Sequence, residues 1–328
     1  MIKRSLFGIL ALQIINLTGC FFDEEPKSDR YPRDQTLHLN HIQALGTHNS
    51  YHRRPSPVVQ PWDYEHAPLI EQLELQGVRQ FELDIHEDEQ GVMKVFHIGI
   101  IDEQTTCETL LSCLSELKAW SDTRPDHHPL LLLLEVKSTR GRAEETIARL
   151  EADLAQVWGE GRLITPQKVM GNHDTLREAI NAQGWPTLGE LRGMLLAVLH
   201  NSGDLREELI RDNLLKNRLM FPDAYGDLEA DFSAYHSMND PIADGERISE
   251  VVRARHLVRT RSDADSVESV NRDYQRFERA LETGAHWIST DYPRAPTADT
   301  YGVLIPEGTP SRCNPITAPI ACFPSDIE

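Results

Sequence analysis

Apolar runs and helical stripes alternate along the chain after its first forty residues. The runs Ile42-Gly46, Val78-Ile85, Leu130-Val136, Met194-His200, Leu219-Pro222, Phe232-His236, His256-Arg261 and His286-Thr290 read as short buried strands. Between several of them lie amphipathic helices. In one, Ile147, Leu150, Leu154, Val157 and Trp158 share a face behind the acidic turn Glu144-Glu145. Another is expected over 268–284, with Val270, Tyr274, Phe277 and Leu281 as its stripe and Gly284 as its C-terminal stop. Strands alternating with helices favour a parallel sheet, and eight of them suggest α/β architecture closed as a TIM-type β/α barrel. An open doubly wound sheet stays possible, but no Gly-x-Gly-x-x-Gly follows any strand, so no dinucleotide site is expected.

The N-terminus follows another pattern. Lys3 and Arg4 precede the apolar run 6–17, which closes on Leu17-Thr18-Gly19-Cys20. This is the layout of a signal peptide, too short to span a membrane stably. It also resembles the lipobox of bacterial lipoproteins, which implies removal of residues 1–19, acylation of Cys20, and export to a bacterial membrane surface, with an outer-membrane placement suggested by Phe21. Residues 20–40 are polar and carry Pro26 and Pro32, as a tether would. One domain, 41–328, is expected to follow.

Composition narrows the partners. With 33 basic and 52 acidic residues the chain carries a formal charge of −19. That argues against nucleic acid and against broad adhesion to anionic lipid, while leaving room for a bound cation. Setting Cys20 aside, Cys107 lies close to Cys113 and Cys313 close to Cys322. Local pairing is the simplest framework in an oxidising compartment, although four cysteines permit three connectivities. A monomer is expected.

The candidate chemistry gathers where the strands end. After Ile42-Gly46 comes Thr47-His48-Asn49-Ser50-Tyr51, a titratable imidazole beside an amide that can only bind or orient. In the second run, strand geometry puts Glu82 and Asp84 on one face, and two carboxylates aimed together repel unless a cation or a shared proton intervenes. Five leucines, Leu130 to Leu134, lead into Glu135 and Lys137. An ionised group directly after such a run is costly unless paired or metal-bound, and an ion pair between Glu135 and Lys137 would also serve. His97 follows a hairpin-like segment after Gly91. With His48 it could form the acid/base pair that phosphodiester cleavage needs, although a lone histidine in apolar company is more often structural. Asn49, Glu82, Asp84 and Glu135 form an all-oxygen set suited to a hard cation such as calcium, and less to zinc.

The segments 47–51, Phe81-Glu82-Leu83-Asp84, Phe96-His97 and Leu134-Glu135-Val136-Lys137, in this order and spacing, resemble the calcium-dependent phosphatidylinositol-specific phospholipases C, most closely their secreted bacterial branch. The resemblance extends through Val258-Arg259-Thr260-Arg261-Ser262-Asp263 and Trp287-Ile288-Ser289-Thr290-Asp291-Tyr292-Pro293. It implies a distorted β/α barrel and cleavage of a phosphoinositol to a cyclic inositol phosphate and diacylglycerol. His48 would be the general base and His97 the general acid. Asn49, Glu82, Asp84 and Glu135 would be the calcium ligands, and Lys137 and Arg261 the substrate-side cations. Two other readings stay open. Glycerophosphodiester phosphodiesterases share the barrel and the Glu-x-Asp pattern, but carry His-Arg where this chain has His48-Asn49. A non-catalytic surface lipoprotein could use the same scaffold to hold calcium or inositol phosphates.

Overall fold

A computed structural model of the chain describes residues 30–211, 215–308 and 310–328. The expected signal segment, Cys20 and the first part of the tether lie outside them. The last part of the tether is corrected: the compact unit begins at Tyr31. Leu37 and Leu39 are fully buried, the Leu37 carbonyl accepts the Leu188 N–H at 2.7 Å, and the Arg192 guanidinium lies 3.8 Å over the Tyr31 ring while bonding Asp34. The polar stretch 32–36 masks these anchors in the sequence.

All eight expected strands form. They are β1 (Ile42–Thr47), β2 (Val78–Glu87), β4 (Leu130–Ser138), β5 (Leu195–Leu199), β6 (Met220–Pro222), β7 (Tyr235–Ser237), β8 (Leu257–Arg261) and β9 (Trp287–Thr290). Two short strands, β3 (Met93–Val95) and β10 (Ser311–Cys313), add to β2 and β1 in antiparallel fashion. The sheet runs β6-β5-β4-β2-β1-β9-β8-β7, all parallel along this path. Its two edges meet through the bridge between Asp223 and Tyr235 and the Ser237 N–H donated to Asp223 Oδ1 at 2.9 Å, which makes a nearly closed barrel. Leu130 to Leu134 are fully buried, as a strand covered on both faces requires.

The helix Ala143–Trp158 buries Ile147, Leu150, Leu154 and Trp158 of the stripe read from the sequence, with Val157 half-buried beside them. The helix expected over 268–284 is instead two, Val267–Asn271 and Gln275–Glu282. Arg272 between them takes a left-handed backbone with φ +50°, which ends the first helix, and Val270 of the expected stripe is 69% exposed. Two disulfides, Cys107–Cys113 and Cys313–Cys322, realise the local pairing. The first ties the loop after His97 to the helix Leu110–Thr123.

Parallel strands place all their C-terminal ends at one mouth. The barrel beneath that mouth is polar. The Arg259 Nε–H donates to Ser289 Oγ at 2.6 Å, Ser289 Oγ donates to Gln80 Oε1 at 2.6 Å, and Gln80 Nε2 donates to the Thr47 carbonyl at 3.1 Å. All four residues are fully buried.

Candidate active site

The turn after β1 is set by Asn49, whose φ of +43° is a conformation that Asn tolerates better than most residues. Its buried amide donates to Tyr64 Oη at 3.4 Å, leaving the amide oxygen for another partner. Ser50 clamps the turn to β2: its N–H reaches the Glu82 carbonyl at 2.9 Å and its Oγ accepts the Glu82 N–H at 2.8 Å.

His48 and His97 are held in the same way by two different carboxylates. His48 Nδ1–H donates to Asp291 Oδ1 at 2.9 Å, and the Arg261 guanidinium binds the other oxygen of Asp291 at 3.2 Å. Arg261 also approaches His48 Nε2 at 3.4 Å. Because a guanidinium only donates, Nε2 is an unprotonated acceptor in this arrangement. Burial first, and the Arg261 charge second, hold the His48 imidazolium well below the ordinary histidine range, so the ring is neutral near pH 7. His97 Nδ1–H donates to Asp102 Oδ2 at 2.7 Å, an oxygen that also accepts His52 Nε2–H at 2.9 Å. His52 and Asp102 are completely buried, whereas the His97 side chain keeps 16% exposure.

The acids of β2 and β4 lie side by side, with Asp84 opposite Glu135 in register. Two cations hold them. The Arg259 guanidinium, fully buried, bonds Glu82 Oε2. Burial would raise the Glu82 carboxyl, but Arg259 overcomes it and brings the group down to about 2. The Lys137 ammonium sits 2.6 Å from Glu135 Oε1 and 3.5 Å from Asp84 Oδ2, the ion pair that the sequence left open. Burial still pushes the Asp84 carboxyl well up, against the pull of Lys137, with the buried Tyr51 hydroxyl facing it.

Several residues of the mouth were not singled out by the sequence. Glu82, Glu135 and His200 offer ligand atoms that all lie within 4.8 Å of one another. His200 follows β5, and its Nδ1–H is held by Asp223 at 2.8 Å with the Tyr225 hydroxyl at 3.3 Å. A carboxylate behind one ring nitrogen of a histidine, leaving the other free, is the usual support of a metal-facing or substrate-facing imidazole. Asp291, Asp102 and Arg259 belong to the same group of omissions. Asp291 and Arg259 lie inside motifs already quoted, so a search there for buried charge partners would have found them. Asp102 carries no local signal.

The acids present suit a hard cation: Glu82, Asp84 and Glu135 supply oxygen, and a fully buried carboxylate such as Asp84, met by Lys137 only at 3.5 Å, is costly unless a further cation completes it.

Comparisons with known proteins bear on the family and the fold. Residues 37–93 and 92–315 match the profile of the family described as phosphoinositide phospholipase C, Ca2+-dependent. A calcium-dependent phosphoinositol-specific phospholipase C from a Gram-negative Pseudomonas species superposes with a TM-score of 0.64 at 19% identity, over 88% of this chain and all of that one. Its myoinositol complex gives 0.61 at 20% identity, over 81% and 95%. The Ca2+-dependent phosphatidylinositol-specific phospholipase C of Streptomyces antibioticus gives 0.58 at 19%, over 78% and 95%. No curated protein sequence matches the chain.

Proposed function

The chain belongs to the Ca2+-dependent phosphoinositide phospholipase C family, a family of phosphoric diester hydrolases, and from that premise we propose that it cleaves phosphatidylinositol or a related phosphoinositol by paired histidine catalysis. One observation carries the reading: His48 and His97 each give Nδ1–H to a buried carboxylate, which turns both Nε2 atoms away from those carboxylates, with only the long 3.4 Å contact from Arg261 on His48 Nε2 for a substrate hydroxyl to displace. His48 Nε2 takes the proton of the inositol 2-hydroxyl, and that oxygen attacks phosphorus. The bond from phosphorus to the diacylglycerol oxygen breaks, and His97 Nε2–H supplies its proton. The products are a cyclic inositol phosphate and diacylglycerol. Asp291 stabilises the imidazolium that forms at His48, and Asp102 holds the one that starts at His97.

Asn49, Glu82, Asp84 and Glu135 would hold calcium. Bound there, calcium lowers the pKa of the attacking hydroxyl and offsets charge on the phosphoryl oxygens. Arg261 and Lys137 supply positive charge on the substrate side. Because attacking and leaving oxygens share one phosphorus, positioning contributes much of the rate.

The test is phosphorus NMR of the purified protein with phosphatidylinositol in detergent micelles, with calcium or a chelator. A cyclic phosphodiester resonance growing only with calcium is expected. His48→Ala and His97→Ala should each slow its appearance by ~10²–10⁴-fold, and near-normal turnover in either variant removes that residue's assigned role. Glycerol phosphate as the product would favour the glycerophosphodiester reading instead.

Residues 1–20 support a further proposal, attachment of the domain to a bacterial membrane through acylated Cys20. Incorporation of labelled palmitate that disappears in Cys20→Ala is the expected result. A soluble, unlabelled wild-type product refutes the anchor.

A further inference from the structure

The two cations that neutralise the acid cluster are built differently. Arg259 is completely buried and spends its guanidinium on Glu82, Ser289 at 2.6 Å and Asn239 at 2.5 Å, so it is fixed. Lys137 leaves β4 near its end, keeps 32% side-chain exposure, and reaches Glu135 and Asp84 and no other described acid. An ammonium on a four-carbon stem is a mobile point charge, without the fork that locks a guanidinium to its acceptors. The carboxylates it touches are two of the four oxygen ligands assigned to calcium. Lys137 is the only cation within ion-pair distance of Asp84 among the described residues, the other polar group facing it being the buried Tyr51 hydroxyl. Lysine and calcium therefore claim the same two carboxylates.

We propose that Lys137 is an exchangeable counter-cation: its ammonium occupies the Asp84 and Glu135 carboxylates when calcium is absent and, when calcium binds there, is released toward the phosphoryl oxygens of the substrate. This rests on the reading of the acid cluster as the calcium site. Its physical content is competition. Calcium must displace the ammonium, so its affinity is lowered by whatever that ion pair contributes, and binding of the metal delivers a substrate cation in the same event. Without such a pair, two facing carboxylates of one sheet would repel each other in the metal-free protein. With it, a metal-free mouth keeps Lys137 away from substrate.

Two measurements test the exchange on the full-length protein in detergent. Calorimetric titration with calcium should show tighter binding to Lys137→Met than to wild type by about fivefold, the factor expected from losing a partly exposed ion pair, while turnover of phosphatidylinositol falls. Amine-selective reductive methylation, read by peptide mass spectrometry on the wild-type protein, should label Lys137 several-fold faster with calcium than with a chelator. Lys118, paired with Asp122 on the helix Leu110–Thr123, should not change. The labelling arm needs no variant and so stands if Lys137→Met folds poorly. A wild-type protein that takes up no calcium overturns the site reading itself. A wild-type protein that binds calcium, with Lys137→Met binding no more tightly or with Lys137 labelling unchanged by calcium, overturns the exchange and leaves the site standing.

Discussion

Asp291 shows how much one atom decides at this site. Its Oδ1 accepts the His48 Nδ1–H at 2.9 Å, and that single bond fixes which nitrogen of the ring is a base. Asp291→Asn keeps the shape and replaces the acceptor with an amide that can donate, which stabilises the opposite tautomer and places hydrogen on Nε2. Turnover is expected to drop ~10³-fold or more, with calcium affinity little changed because Asp291 is not among the metal ligands. Steady-state rates and calorimetry on the same variant check both halves, and a drop in calcium affinity matching the drop in rate would assign Asp291 to the metal site instead. The candidate histidines and oxygen donors could be singled out in short motifs because their residue types are chemically distinctive at strand ends. Which ring each partner supports could not be read, because an aspartate 243 residues from His48 in sequence meets that ring only when β1 and β9 pair.

Among the elements, β1 and β2 carry the site, and their contact is unusually close at Gly46. A Cβ there would lie 1.9 Å from Gln80 Oε1 and 3.0 Å from Gln80 Cβ. Gln80 cannot easily yield, since its side chain bonds the Thr47 carbonyl and Ser289 inside the barrel. Gly46→Ala is therefore expected to destabilise by ~1–3 kcal/mol, the usual cost of overpacking, seen as a lower melting temperature. An unchanged melting temperature would mean that the Gln80 network is loose. The strands were legible because burial on both faces demands continuous apolar runs bounded by polar residues. The segment 268–284 misled because apolar residues at helical spacing fit an unbroken helix, whereas a left-handed Arg272 turns the chain between two short ones.

Over the whole molecule, burial of neutral histidines sets the response to acid. His66 and His127 are held down to about 4 and His128 and His286 to about 3, each chiefly by desolvation. Their unfolded value is 6.5, so between that pH and the folded values the unfolded chain binds protons that the folded chain does not. Stability from these groups is complete above pH 6.5 and is lost as pH falls toward 4 and then 3. Asp263 opposes this: burial, with Asp291 adding to it, raises its carboxyl to about 7, which favours the fold as pH falls from 7 toward 3.8. Asp84 and Asp291, also raised by burial, act with Asp263, while His41 and His256, held down to about 4, join the other histidines. The more numerous histidines set the direction, so thermal melts in chelator should show a lower melting temperature at pH 4.5 than at pH 7. A melting temperature that holds or rises over that range would show these histidines to be solvated.

The amino-acid sequence by itself determined the alternation of strands and helices and the barrel class, and it marked candidate histidines, oxygen donors and a simplest local pairing of the cysteines. The elements follow from residue type and short-range spacing, while the candidate roles came from the resemblance of short motifs to a family. The tertiary structure decided which charges meet. It placed Arg259 against Glu82, Lys137 between Glu135 and Asp84, and Asp291 and Asp102 behind the rings of His48 and His97. It also built Tyr31, Leu37 and Leu39 into the domain. The physical reason is the same throughout. Electrostatic partners inside a barrel are chosen by strand order and register across the sheet, and neither is encoded within any one stretch of chain.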